Sequence, residues 1–207
     1  MANNAVQIHA IQIPGRTPMS GRDSVNLPNP DGGDIGLHMR ELKHLGKLNI
    51  RGGKAINAIV NTATGCNLPR NANSYVSAGE RHVVWLGPDE FLILCEAGKE
   101  SELHGIITSE IKNGQHAAIT NVTDSLCAFH LSGPALLKVL AKGCALDLYP
   151  SQFKAGNAAQ TLLSHAAVTL MAMPDGSMTI LCRTSFAAYL LDWMTDAALE
   201  YGFSFKG

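Results

Sequence analysis

Charged and aromatic residues are both scarce in this 207-residue chain, at 16% and 6% of the sequence. The formal net charge is only −1, so an affinity that depends on neutralising nucleic-acid phosphates is not expected. The low aromatic content likewise disfavours a surface that stacks nucleic-acid bases. No uninterrupted apolar run approaches the ~20 residues that a membrane-spanning helix needs. Hydrophobic residues nevertheless make up 46% of the chain, which is enough for a folded core.

Secretion signals and paired cysteines are also missing. The amino-terminal residues have neither the basic start nor the apolar stretch of a secretory signal, and the five cysteines include no C-x-x-C pair. Both observations predict a cytoplasmic protein with reduced thiols. Cys95 and Cys127 lie in strand-like runs and are expected to be buried, whereas Cys144 lies in a loop-like stretch that leaves room for exposure.

The motifs that build catalytic sites are absent as well. The string at residues 31–36 lacks the first glycine of G-x-G-x-x-G and follows a Pro/Asn loop instead of a strand. Gly53 and Lys54 imitate the end of a phosphate-binding loop, but Ala55 stands where a Ser or Thr would bind magnesium. The eight histidines form no i, i+4 pair on a predicted helix. We therefore predict no catalytic, cofactor-binding or metal-ligating residue in this chain.

Turn-forming residues dominate the first 36 positions, where prolines at 14, 18, 28 and 30 alternate with glycines. Because proline fixes φ and removes a backbone donor, neither helix nor sheet is expected there. Residues 1–36 are predicted to form a loop-rich arm, which is either disordered or ordered by lying on another surface.

The rest of the chain is predicted to form two α+β units, at residues 37–116 and 117–207, packed as one compact domain. In the first unit, apolar periodicity predicts strands at 37–42, 47–51, 81–86 and 90–95 and helices at 54–64 and 101–112. In the second, it predicts strands at 117–122, 126–131, 160–165, 167–173 and 178–182 and helices at 134–141 and about 185–201. Two helices among mostly antiparallel strands in each half indicate two packed ferredoxin-like (split βαβ) units, with helices on one face of each sheet.

Charge is distributed unevenly between the two halves. Residues 35–88 hold seven Lys/Arg against two acidic residues, a local net of +5, whereas residues 89–207 hold seven against twelve, a local net of −5. This asymmetry fits an anionic ligand, an acidic partner surface or simply two solvated faces.

Four stretches, in this order, resemble the gamma subunits of heterotetrameric sarcosine oxidases. They are residues 85–94 (WLGPDEFLIL), 131–148 (LSGPALLKVLAKGCALDL), 159–168 (AQTLLSHAAV) and 185–194 (SFAAYLLDWM). Together they span about residues 45–200. One departure is Phe91, where the family more often has tryptophan, and this exchange keeps an aromatic side chain in the strand.

The resemblance implies a fold similar to the folate-binding domain of aminomethyltransferase, the glycine-cleavage T-protein. It also implies a complex that demethylates sarcosine oxidatively to glycine, passes the one-carbon unit to tetrahydrofolate and forms hydrogen peroxide. FAD, FMN and NAD would belong to the alpha and beta subunits and zinc to the delta subunit, with no cofactor in this chain. Its own role would be structural, with the alpha, beta and delta subunits as partners and neither nucleic acid nor membrane among them.

The arm is the predicted partner interface, because a Pro/Gly-rich segment can become ordered by wrapping a partner. The residues chosen for that contact are Arg16, Pro18, Arg22, Pro28 and Asp34, whereas Trp85, Pro88, Phe91 and Trp193 are assigned to core and turn.

Two alternatives stay open. One is a free-standing folate-binding protein related to aminomethyltransferase, with the basic first unit at the glutamate tail and Asp124 or Asp147 near the pterin. The other is the equivalent subunit of an N-methylglutamate dehydrogenase complex.

Overall fold

The computed structural model describes residues 15–22 and 24–207, so the predictions for residues 1–14 lie outside the described part. The described residues form twelve strands: β1 (Val25–Leu27), β2 (Leu37–Glu41), β3 (Gly46–Gly52), β4 (Tyr75–Ala78), β5 (Arg81–Gly87), β6 (Glu90–Cys95), β7 (Ala117–Asn121), β8 (Leu126–Ser132), β9 (Ala158–Leu163), β10 (Ala166–Ala172), β11 (Met178–Arg183) and β12 (Phe203–Lys206). The α-helices are α1 (Asn57–Thr64), α2 (Glu100–Glu110), α3 (Leu136–Ala141) and α4 (Ala187–Ala197). None of these helices is both long and apolar enough to cross a membrane.

The strands form two sheets. The five-stranded sheet has the order β4-β5-β6-β3-β7 and is antiparallel throughout. Its β3-α1-β5-β6-α2-β7 succession is a ferredoxin-like unit with β4 added at one edge. The seven-stranded sheet has the order β1-β12-β2-β8-β11-β10-β9, and β12 with β2 is its parallel pair. The predicted α+β architecture is confirmed.

The boundary predicted at residues 116/117 does not separate the two sheets. Strand β2, from the predicted first unit, lies between β12 and β8 of the seven-stranded sheet. Strand β7, from the predicted second unit, pairs with β3 at the edge of the five-stranded sheet. The alternating side-chain pattern of a strand specifies which face is buried but not which strand it pairs with. The sequence therefore does not show that β2 and β7 each join the sheet of the other predicted unit.

The two sheets pack face to face, and each carries helices on its outer face. In β6, Phe91, Ile93 and Cys95 join the core beneath α1 and α2. The alternate residues of the same strand, Leu92 and Leu94, join the core between the sheets. A third core, under α3 and α4, is the largest of the three in the described residues. The molecule is therefore a four-layer helix–sheet–sheet–helix stack.

The described part of the arm lies on the seven-stranded sheet, which corrects the expectation that it contains no strand. Strand β1 pairs antiparallel with β12, and Met19 is buried in the adjacent core. The prolines flank β1 but do not interrupt it, so its backbone donors remain available for pairing. The described part of the arm thus lies on its own domain.

Candidate functional site

The predicted interface residues are all exposed but do not gather in one place. Arg16 and Pro18 line a cavity of about 270 Å³ next to the start of β3. The Arg22 guanidinium donates to an Asp192 carboxylate oxygen on α4 at 2.8 Å. Asp34 offers its backbone carbonyl to the Asn29 amide at 3.1 Å. Pro28 runs past Gly202, where an added Cβ would lie 3.1 Å from its carbonyl carbon.

Two buried charged side chains, which sequence reasoning missed, lie at the cavity beside Arg16. Glu41 is 5% exposed and accepts a hydrogen bond from the Thr17 hydroxyl at 2.8 Å. Lys47 is 3% exposed and donates to the carbonyls of Leu45 at 2.6 Å and Thr123 at 3.2 Å. Desolvation by burial lowers the pKa of Lys47. The alternation of buried and exposed residues in β2 could have predicted the burial of Glu41, because Glu41 follows Leu37 and Met39 on the buried face.

Glu41 bonds to the arm, whereas the Lys47 ammonium bonds to loops that adjoin the sheets. Thr17 belongs to the arm, Glu41 to β2 of the seven-stranded sheet and Lys47 to β3 of the five-stranded sheet. The two charged side chains therefore lie near the arm, where the chain passes from one sheet to the other. Their polar atoms are already engaged by protein partners, which indicates a structural role for Glu41 and Lys47.

The cysteine side chains belong to the interior of the fold. All five cysteines are buried, including Cys144, which is 8% exposed and packs in the core under α3. The prediction that Cys144 could be exposed is therefore wrong. A backbone bridge between Cys144 and Leu163 holds this residue in the core. Burial raises the pKa of Cys95 to about 11 and that of Cys182 to about 12. A nucleophilic thiolate is not supplied by either residue at neutral pH.

The largest described cavity has a volume of about 700 Å³ and lies in the five-stranded unit. It is bounded by the start of α1, the loop that follows α1 and the β5–β6 hairpin, with a lining that combines cations, amides and aromatic rings: Lys54, Asn57, Asn67, Arg70, Trp85 and Phe91. Pro88 also lines it. Trp85 and Phe91 pack in the core, as assigned from the sequence, but their outer edges also form the cavity wall.

The excess charge of the two halves is partly neutralised within the fold. Arg51 pairs with Glu90, and Arg81 pairs with Glu96 at 2.9 Å, so two basic residues of the first half hold acidic residues of the second. Asp124 lines the cavity beside Lys47, whereas Asp147 is exposed elsewhere and accepts a hydrogen bond from the backbone N–H of Tyr149. Of the two acids that the folate alternative offers for the pterin, Asp124 therefore borders this cavity and Asp147 does not.

A ferredoxin-like five-stranded sheet packed face to face on a seven-stranded sheet, with helices outside both, gives this chain the aminomethyltransferase fold. The chain superposes on glycine cleavage system aminomethyltransferase T from Bartonella henselae with a TM-score of 0.60 and 13% identity. The match covers 87% of this chain and 52% of that one, so the chain has the fold of about half of that enzyme.

A nearer structural match is a chain of heterotetrameric sarcosine oxidase from Corynebacterium sp. U-96. The TM-score is 0.75 with 28% identity, over 82% of this chain and 87% of that one. The sarcosine oxidase gamma subunit of Arthrobacter sp. is 31% identical over 166 residues, which are 79% of this chain and 80% of that subunit. The family model described as "Sarcosine oxidase, gamma subunit family" matches residues 51–200. This chain belongs to the sarcosine oxidase gamma subunit family, which confirms the resemblance carried by the four stretches.

Proposed function

We propose that this chain is the gamma subunit of a heterotetrameric sarcosine oxidase, in which it docks against the other subunits and does not itself catalyse. The observation that carries this proposal is the match to a chain of the Corynebacterium complex, which covers 87% of that chain at a TM-score of 0.75. Because the match extends over most of both chains, the two would occupy equivalent places in their assemblies.

The chemistry of the buried groups supports a non-catalytic role. The thiols of Cys95 and Cys182 are held protonated, and the polar atoms of Glu41 and Lys47 are engaged by neighbouring groups. A general base or nucleophile needs a free atom within reach of a substrate, and none of these four side chains provides one.

The proposed complex converts sarcosine, tetrahydrofolate and dioxygen to glycine, methylene-tetrahydrofolate and hydrogen peroxide. The amine is oxidised, dioxygen is reduced to peroxide, and the former methyl carbon is transferred to the folate. FAD, FMN and NAD are assigned to the alpha and beta subunits and zinc to the delta subunit, in a cytoplasmic assembly that suits reduced thiols.

Two observations on the described residues support the proposal that this chain holds none of those cofactors. Within residues 15–22 and 24–207, no three His, Cys, Asp or Glu side chains cluster at metal-binding distance. The glycine string at 31–36 lies in turns and bends before β2, whereas a dinucleotide fingerprint needs a strand before it and a helix after it.

The exposed outer surface of the arm is the proposed contact with the larger subunits. Because its inner side is already held by β12 and Glu41, binding a partner would cost little ordering entropy. Arg16, Pro18, Arg22, Pro28 and Asp34 remain the predicted contact residues on that surface.

Co-expression of the four subunits tests this proposal. With an affinity tag on the alpha subunit, native mass spectrometry should find this chain at one copy per complex, and sarcosine should produce hydrogen peroxide. An Arg16→Ala/Pro18→Ala double variant should co-purify more weakly, whereas a Lys112→Gln/Lys154→Gln control, at exposed positions outside the arm, should not. A complex that assembles and turns over equally well without this chain would contradict the proposal.

The two alternatives have separate readouts. Saturable binding of tetrahydrofolate to the isolated full chain would favour a free-standing folate protein. Oxidation of N-methylglutamate in preference to sarcosine by the assembled complex would favour the dehydrogenase relative.

A further inference from the structure

The 700 Å³ cavity of the five-stranded unit is built on fixed backbone. The Asn57 side chain on α1 accepts a hydrogen bond from the backbone N–H of Leu68 at 2.8 Å and donates to the Asn67 side chain at 3.2 Å. The loop after α1 is thereby tied to the first turn of that helix. At the other side, the backbone N–H of Gly52 donates to the carbonyl of Asp89 at 2.9 Å, which holds the β5–β6 turn against the end of β3. The cavity is therefore preformed.

Its inner wall is apolar and partly aromatic. Phe91 is 5% exposed and Leu68 is 9% exposed, and both pack in the core behind the cavity. Trp85 is half-buried, so part of its indole ring faces the cavity while the rest belongs to the same core. An aromatic surface of this kind favours a flat ring, because stacking adds to the gain from removing apolar area from water.

Its rim is cationic. Lys54 and Arg70 both line the cavity and are exposed, and neither forms an ion pair within the described part of the chain. Among the described residues, no acidic side chain lines the cavity. The adjoining hairpin carries two acids: Glu90 is already bonded to Arg51 and Asn49, and the exposed Asp89 lies outside the lining. The two cations therefore give the opening a positive potential that no lining residue offsets.

We propose that this cavity binds a planar aromatic anion, with its ring against Trp85 and Phe91 and its negative group between Lys54 and Arg70. The volume suits a ligand of drug-like size, since such pockets measure about 300–1,000 Å³. Arg70 supplies a planar fork that can bind a carboxylate or phosphate through two parallel hydrogen bonds, and Lys54 adds a second charge. Every lining residue belongs to this chain, and a ligand site here goes beyond the proposed function, which concerns docking to other subunits.

Tryptophan fluorescence offers a direct test, because the sequence has only two tryptophans. A Trp193→Phe chain reports on Trp85 alone, and the probe is para-nitrobenzoate, a flat anion that quenches indole emission. Its neutral isostere, para-nitrobenzamide, has nearly the same shape and separates the effect of charge from that of ring contact. We expect saturable quenching by the benzoate and about tenfold weaker binding of the amide, since a charge-assisted hydrogen bond is worth roughly one power of ten in affinity.

Three variants complete the design. Lys54→Gln/Arg70→Gln should weaken benzoate binding about tenfold and leave the amide unchanged, whereas the Lys112→Gln/Lys154→Gln control should change neither. A Trp85→Phe chain that retains Trp193 should show no saturable quenching. Equal affinity for benzoate and amide, or quenching of the same strength in the Trp85→Phe chain, would overturn the proposal. If the double variant fails to fold, the benzoate–amide comparison in the Trp193→Phe chain decides it.

Discussion

Arg81 links the end of a helix to two neighbouring strands. Its Nε donates to the two carboxylate oxygens of Glu96 at 2.9 and 3.2 Å, and its Nη1 donates to the carbonyl of Ala63 at 3.0 Å. Ala63 lies in the last turn of α1, where carbonyls lack intrahelical partners and a cation is favourable. The Arg81 side chain thus supplies a hydrogen-bond donor to a carbonyl at the end of α1 and forms an ion pair with both carboxylate oxygens of Glu96.

We expect Arg81→Met to lower the free energy of unfolding by about 1–2 kcal/mol at neutral pH, because it removes both sets of hydrogen bonds. Urea unfolding followed by circular dichroism measures the loss. Lys99→Met is the matched control: Lys99 pairs with Glu102 across one exposed helical turn, and solvent screening should leave stability nearly unchanged when the pair is removed.

The same pair should make stability depend on pH in a defined direction. The hydrogen bond from Arg81 lowers the folded-state pKa of Glu96 below the usual value of 4.5. A lowered folded pKa stabilises the fold above the unfolded pKa, and this contribution is lost as pH falls through the folded value. The difference in free energy of unfolding between the native chain and the Arg81→Met variant should therefore become smaller below about pH 4. A difference that stays constant from pH 7 downwards would contradict the assignment.

The sequence shows the residue types that line the 700 Å³ cavity but not that they lie together. The positive charge of residues 35–88 was visible, and Trp85 and Phe91 were recognisable as core residues of a hairpin. Lys54 and Arg70 meet only because α1 turns the chain back and Asn57 ties the following loop in place. A side-chain hydrogen bond between a helix and a loop leaves no periodic pattern in the sequence.

Among the secondary-structure elements, the strong patterns were predictable and the short strands were not. The β5–β6 hairpin and helix α1 match their predicted positions closely, because a Gly-Pro-Asp turn and an apolar stripe are local signals. Strands β1, β4 and β12 have three or four residues each and were missed, since so few positions show little alternation. Helix α4 ends at Ala197, earlier than the predicted 201, which leaves room for β12.

Gly202 controls how the arm lies on the sheet. It adopts φ +76° between α4 and β12, and an added Cβ would lie 2.7 Å from the backbone nitrogen of Asn29. We expect Gly202→Ala to push the arm from β12 and to speed trypsin cleavage after Arg22 several-fold, because the site must unfold locally to be cut. Cleavage is followed by mass spectrometry.

Gly176→Ala is the control for backbone strain in this experiment. Gly176 has φ +83°, yet an added Cβ would meet nothing within 4 Å. It should therefore share the conformational cost of the Gly202 variant without displacing the arm. Equal cleavage rates in the two variants would show that the arm does not depend on close approach at Gly202.

At the scale of the whole molecule, Tyr75 joins the two sheets. Its side chain rises from β4 of the five-stranded sheet, and its hydroxyl donates to the carbonyl of Ala172 on β10 at 2.8 Å. The residue is 8% exposed and belongs to the core between the sheets. The interface between the sheets is thus specified by a directional bond as well as by apolar packing.

Tyr75→Phe should lower the free energy of unfolding by about 1 kcal/mol, since Ala172 keeps a second donor in the backbone N–H of Gly156. Tyr149→Phe, at a residue that is 69% exposed, is the control and should be neutral. If the sheets unfold as one unit, the combined emission of Trp85 and Trp193 should follow one urea transition with the same midpoint as circular dichroism, in the native chain and in the variant. Separate midpoints would show that the sheets unfold independently.

The exchanged strand β2 also affects how the protein is made on the ribosome. The five-stranded sheet can close once β7 has left the exit tunnel, because all its strands precede that point. Strand β2 emerges earlier than any of these, yet its neighbour β12 is synthesised last. During translation the edge of β2 that pairs with β12 stays unpaired until β12 has emerged. An unpaired strand edge promotes aggregation of nascent chains. Making fewer chains at one time, or supplying a chaperone that shields unpaired strands, should therefore raise the yield of folded protein.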